Sequence, residues 1–135
     1  MNALLDTHAF LWWLDGDPSL SERAFDYSER AFDYIAREEG AVLVSASSAW
    51  EIATKHRLGK LPRAGDVAVD VAGCMDAQGF RPLSVTVAHG QRAGALPGIH
   101  RDPFDRMLIA QAIMEDCVLI SDEAVFDRYG VARLW

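Results

Sequence analysis

Positive charge is scarce in this chain. Thirteen lysines and arginines face twenty aspartates and glutamates, for a formal net charge of −7, and no lysine follows Lys60. The shortage excludes a protein that holds nucleic acid by bulk electrostatics, because phosphate contact needs Lys and Arg. It does not exclude a nuclease, since carboxylates that bind divalent cations are far less negative once loaded. A phosphoacceptor signalling domain also places acids at strand ends of a parallel sheet. It needs a lysine at a late strand end, and none is present. Cysteine is rare too. Cys74 and Cys117 stand far apart and match no zinc spacing, so they read as buried thiols of a reducing cytoplasm. Long apolar runs are missing, which argues against a membrane span. The N-terminal "MNALLDTHAF" has no basic region and meets Asp6 early, so no signal peptide is expected.

What is present is a chain that is half hydrophobic over 135 residues, enough for one domain, residues 1–135, with a real core. Short apolar runs alternate with helical patterns. "NALLD", "AVLVS", "FRPLSV", "CVLIS" and "VARLW" read as strands, with Pro82 marking an edge or an end. "THAFLWWL", residues 20–37, "ASSAWEIATKHRL", "DVAVDVAGCMDAQ", "TVAHGQRAGAL" and "DPFDRMLIAQAIMED" read as helices, and "DEAVFDRYG" as a short helix or turn. The alternation predicts an α/β fold with a mainly parallel sheet of about five strands, covered on both faces. Residues 21–27 and 28–34 are both "SERAFDY". Such a heptad adds roughly 10 Å of helix and returns the apolar face about 20° off. It is read as a tolerated duplication in a peripheral helix, the alternative being an arm that contacts a partner.

Acids sit where strands end or helices begin. Asp6 follows the first strand, at the carboxyl end where open α/β sheets gather ligands, though Asp is also an ordinary N-cap. Glu51 follows the second strand, and "SAWE" fits a capping box. Asp102 precedes Pro103 as a good N-cap, which makes Asp105 the third helical residue, favoured there by the helix dipole. Asp122 and Glu123 follow the fourth strand and also suit a cap. If these junctions share one sheet edge, four or more carboxylates converge. Two of them 4 Å apart repel by about 4 kcal/mol at an effective dielectric near 20, so a cation is needed or some must protonate. An all-oxygen set suits Mg²⁺ or Mn²⁺, not zinc.

"LLDTHAFLWWL", "VSASSAWEIATKHRLGKL", "DPFDRMLIAQA" and "LISDEAVFDRYGV", in that order and spacing, resemble PIN-domain ribonucleases, in particular the VapC toxins of type II (VapBC) toxin–antitoxin systems. The resemblance covers nearly the whole chain. It implies a PIN-like three-layer α/β/α sandwich and a cytoplasmic endoribonuclease dependent on Mg²⁺ or Mn²⁺. It also implies a homodimer and a VapB-type antitoxin that covers the acidic groove. By position, Asp6, Glu51 and Asp105 match the family's catalytic metal ligands, and Asp102 is open to either role, ligand or cap. The family often carries T-x-D after the last buried strand. Here the text is "SDE", which aligns Glu123 with that acid, beside Asp122 and Ser121, and leaves a second metal position open. This departure also admits a rival, a binding module of the same fold without turnover. Thr7 is either a support for a ligand carboxylate or an ordinary first-turn residue. Arg101 and Arg106 flank the ligand positions and are read as balancing the acids or clamping phosphate. The basic run Lys55 to Lys60 reads as solvated or paired with nearby acids. His8, His56, His89 and His100 match no metal spacing and are assigned to surface or core. Trp50 is expected in the core.

Overall fold

The computed structural model describes residues 1–15, 30, 33–37, 40–98 and 100–135. The tandem heptad therefore lies outside the described residues, apart from residues 30, 33 and 34. In chain order the elements are β1 (Ala3–Leu5), α1 (Thr7–Asp15), β2 (Val42–Ser45), α2 (Ala46–Arg57), a 3₁₀ turn (Pro62–Ala64), α3 (Gly65–Val69), α4 (Val71–Ala77), β3 (Arg81–Leu83), α5 (Val87–Ala95), α6 (Pro103–Met114), β4 (Val118–Ile120), a 3₁₀ helix (Ala124–Tyr129) and β5 (Arg133–Leu134).

The five strands form one sheet in the order β3-β2-β1-β4-β5, and every pairing is parallel. Side chains alternate across the pleat. Ala3, Leu5, Val44 and Ile120 pack with Phe10, Met75 and Phe80 on one face. Leu4 and Leu119 pack with Leu108, Ile109, Ala112 and Phe126 on the other. Burial on both faces is why these strands read as unbroken apolar runs. Pro82 lies in β3, an edge strand, where its missing N–H leaves no ladder bond unmade.

One helix reading needs correction. Residues 66–78 do not form a single helix but split into α3 and α4 at Asp70. The backbone of Asp70 leaves the helical region (φ −154°, ψ 67°), and its carboxylate accepts a hydrogen bond from the Gly73 N–H at 3.0 Å. The carboxylate starts a new helix instead of letting the old one continue. A Cβ on Gly73 would lie 2.2 Å from Asp70 Oδ2, so the glycine makes this cap possible.

The strand order fixes where a site can form. The chain runs outward from β1 through β2 to β3, then returns to β4 on the other side of β1. The connections leaving β1 and β4 diverge, opening a crevice beyond their carboxyl ends. Asp6 emerges there from β1 and donates its N–H to the Ile120 carbonyl at 3.1 Å. Ser121, Asp122 and Glu123 emerge beside it from β4.

Candidate active site

Asp6 is 3 % exposed. Its backbone carbonyl starts α1 by accepting from the Phe10 N–H, and its Oδ1 accepts from the Ala9 N–H at 2.7 Å. The capping role is therefore present, but it does not account for the carboxyl's electrostatics. Burial pushes its pKa up to about 6, against the hydrogen bonds of Ser121 and Ala9 and the charge of His8, and the charge of Asp122 adds to the rise.

Thr7 carries the link to the next acid. Its hydroxyl lies 3.1 Å from Ser48 Oγ and also contacts Glu51 Oε1. A hydroxyl donates only once, and an ionised carboxylate only accepts. Thr7 therefore donates to Glu51 and accepts from Ser48. The capping-box reading of Glu51 is corrected here. The N-cap of α2 is Ser45, whose hydroxyl accepts from the Ser47 N–H, so the helix starts earlier than "SAWE" suggests. Glu51 is thus past the first turn and free of backbone duty. It is 5 % exposed, and its second oxygen accepts from Lys55 Nζ one turn further along α2. Lys55 holds its proton more tightly than usual. Burial works against that, but the bond to Glu51 and the charges of Glu51, Asp102 and Asp105 outweigh it.

On α6, Asp102 is the N-cap, with Oδ1 accepting from Phe104 N–H at 2.9 Å and Asp105 N–H at 3.0 Å, and Pro103 takes the first helical position. Asp105 follows as the third helical residue. Its Oδ2 pairs with His100 Nε2 at 2.8 Å. Burial pushes the Asp105 carboxyl up to about 6. The His100 bond and charge oppose the rise, and the charges of Asp102 and Glu123 add to it. Asp102→Ala is expected to cost about 1 kcal/mol of stability through the lost cap, and Asp102→Ser much less. Thermal melts of both check this. Full cleavage by the serine variant would limit Asp102 to capping.

The acids thus share one sheet edge. Thr7 joins Asp6's helix to Glu51, Lys55 lies in the fields of Glu51, Asp102 and Asp105, and Glu123 is felt by Asp105 and Asp122 by Asp6. Among the described residues, however, no three His, Cys, Asp or Glu side chains stand close enough to hold an ion. Glu51 is turned to Thr7 and Lys55, and Asp105 to His100. The donor chemistry suits a hard dication. As the site stands, one Glu51 oxygen is taken by the Lys55 ammonium.

Other sequence readings land elsewhere. Arg106 forms no ion pair with the acids among the described residues. Its guanidinium donates to the carbonyls of Ala93, His100, Gly94 and Leu96, pinning the loop between α5 and α6. Arg101 is exposed. Ser121 is buried, accepting from the Glu123 N–H at 3.0 Å. Trp50 is not in the core. It is 63 % exposed and leans edge-on against Phe104, ring centroids 4.9 Å apart. Lys55, which its sequence allows to be either solvated or paired, is paired by the geometry. The i,i+4 spacing from Glu51 is the signal for that pairing. No local spacing announces His100 as partner to Asp105, because a loop and a helix start intervene.

A three-layer α/β/α protein with carboxylates gathered at the switch point of a parallel sheet is the class that fold and site define. The PIN domain family matches residues 3–132, and the chain belongs to that family. Over 49 residues it is 51 % identical to "Ribonuclease VapC16" of Mycobacterium tuberculosis (strain ATCC 25618 / H37Rv), a stretch of 36 % of this chain and 35 % of that protein. The match thus spans about a third of that curated relative. Across its whole length the chain is also similar in fold to a chain in the crystal structure of VapBC2 from Rickettsia felis bound to a DNA fragment from their promoter. The TM-score is 0.68 at 15 % identity, covering 98 % of that chain. Among the described residues no helix is long and apolar enough to cross a membrane.

Proposed function

We propose that this PIN-domain protein is a VapC-type toxin, a cytoplasmic endoribonuclease that hydrolyses RNA phosphodiester bonds with Mg²⁺ or Mn²⁺ and is neutralised by a VapB-type antitoxin. The observation that carries the reading is the pair of carboxyls Asp6, buried, and Asp105, half-buried, both pushed up to about 6, with Glu51 and the Lys55 ammonium at the same sheet edge. Acids raised by burial and by neighbouring carboxylates, Asp122 for Asp6 and Asp102 and Glu123 for Asp105, are acids in need of a cation. The names of the VapC16 relative and of the VapBC2 complex support the toxin and antitoxin parts, and a homodimer is part of the same reading.

Asp6, Glu51 and Asp105 would hold the ion. Asp122 and Glu123, at the end of β4, extend the set toward a second ion, and Asp102 has Oδ2 left over from its cap. When bound, the ion supplies positive charge at the phosphoryl group and acidifies water at neutral pH. Thr7 fixes the orientation of Glu51 by donating to Oε1, a support that ligand carboxylates need. His100 does the same for Asp105 through Oδ2. Water attacks the phosphorus in line and the 3′-oxygen leaves, giving a 5′-phosphate and a 3′-hydroxyl.

The test is cleavage of a fluorogenic RNA with Mg²⁺ or Mn²⁺. EDTA should stop it, and Glu51→Gln should lower the rate by roughly 10²–10³-fold, the scale of removing one electrostatic stabiliser of a transition state. No cleavage with any metal would instead leave a binding module of this fold.

A further inference from the structure

Two cavities flank the acids, and their walls differ in charge. The larger, about 1310 Å³, mixes the two signs, with Asp15, Asp66, Asp122 and Glu123 in its lining beside Lys60 and Arg63. The other, about 900 Å³, lies between α5, the loop that Arg106 pins, and the 3₁₀ helix of residues 124–129. Its lining includes Arg92, Arg101, Arg128, His100 and Tyr129, and no acid. In a chain with thirteen cationic residues and a net charge of −7, gathering three arginines around one concave surface is a concentration against the average. All three are exposed, and none forms an ion pair with a described residue.

We propose that this arginine-lined cavity seats backbone phosphates of a single-stranded RNA whose scissile bond lies at the adjacent acids. The inference rests on the nuclease reading above and adds where the substrate is held. Three features carry it. The cavity adjoins the acidic site through one residue, because His100 lines the cavity while its Nε2 bonds Asp105 at 2.8 Å. A strand lying in the cavity is thereby led to the acids. The chemistry suits phosphate, which the planar guanidinium grips with two donors, and Tyr129 offers a ring for stacking an unpaired base. The seat is also pre-shaped, which lowers the ordering cost of binding. Arg106 ties the Leu96 and His100 carbonyls of the loop to those of Ala93 and Gly94 at the end of α5. Gly98 brings that loop against Tyr129 at φ +92°, where a Cβ would stand 3.0 Å from the tyrosine hydroxyl. An acidic segment of a protein partner would offer similar charge, but it would have no use for a seat that leads to a carboxylate cluster.

The experiment measures binding of a fluorescein-labelled single-stranded RNA by anisotropy, using the full chain in EDTA so that the RNA stays intact. The R101Q/R128Q double variant is compared with the parent and with an R37Q/R81Q variant that removes the same charge elsewhere. The expected result is at least tenfold weaker binding for R101Q/R128Q. The slope of log affinity against log salt should shrink by about 1.4, near 0.7 for each phosphate that is no longer neutralised, while the control moves little. R101K/R128K should restore the slope and part of the affinity, which excludes a folding defect as the cause. Equal effects in both double variants, an unchanged affinity and slope, or no binding by the parent would each overturn the proposal. So would a variant that binds RNA normally but no longer retains an antitoxin, since the cavity would then belong to a protein partner. Cleavage by the parent with Mn²⁺ is scored separately. A parent that binds through the arginines yet never cleaves would keep this seat and remove the nuclease reading.

Discussion

Asp6→Asn is expected to abolish RNA cleavage and, in the metal-free protein above pH 7, to raise the melting temperature. The loss of activity follows from removing a proposed ligand. The gain in stability follows from burial. The Asp6 carboxyl is pushed from 3.8 up to about 6, so the folded state holds this proton more tightly than the unfolded chain does. Ionising it at pH 8 therefore works against the fold. The stability contribution of this group is fully present below about 4 and is lost as the pH rises through about 6. A displacement of that size corresponds to roughly 3 kcal/mol, or about 10 °C in a domain of this length. Asparagine is neutral at every pH and keeps an oxygen for the Ala9 N–H. The variant should thus melt well above the parent at pH 8, the gap should narrow through pH 6, and it should close near pH 4. Asp105, also pushed up to about 6, gives the parent a second dependence of the same sign. Scanning calorimetry in EDTA across that pH range is the measurement. A variant that melts lower than the parent at pH 8 would mean that Asp6 is held ionised by the protein alone. A buried carboxylate that weakens the fold and is kept regardless is what a functional trade-off looks like.

The frame of this molecule was readable because its strands are buried on both faces. "ALL", "VLV" and "VLI" leave no polar residue to place, and the helical periods between them force parallel crossovers. The first acid was readable for the same reason, since a charge directly after such a run must lie at a sheet edge. Legibility fell wherever a polar side chain had two local options. Ser45 and Ser48 are both fit to cap α2, and only packing chose Ser45, which moved Glu51 out of the cap and into the crevice. Asp70 carries no apolar signal, yet its bond to Gly73 broke a helix that periodicity alone would continue. Trp50 looked like core because it is large and apolar. It is exposed because Ile52 takes the inward position on α2. Arg106 looked like a counter-charge because of its neighbours in sequence, and its guanidinium went instead to four carbonyls that only the folded end of α5 and the loop after it bring together.

Lys55→Met is expected to tighten Mn²⁺ binding and to destabilise the metal-free protein. As the site stands, one Glu51 oxygen is taken by the Lys55 ammonium, which also lies in the fields of Asp102 and Asp105. The ammonium performs for the carboxylates the service proposed for the dication, and the two compete for the same oxygen. Two unit charges 4 Å apart interact by about 4 kcal/mol at an effective dielectric near 20. Lys55 is partly exposed, so solvent removes much of that, and an affinity gain of about tenfold is the reasonable scale. Methionine keeps the length and apolar stem of lysine, which preserves the packing of α2 while deleting the charge. Calorimetric titration with Mn²⁺ reads the first effect and a melt in EDTA the second. The opposite pattern, weaker Mn²⁺ binding, would show that Lys55 holds Glu51 in position instead of standing in for the ion. The parent protein should then bind the ion without releasing Glu51 from the lysine, and Lys55 would be a positioning residue of the acid site.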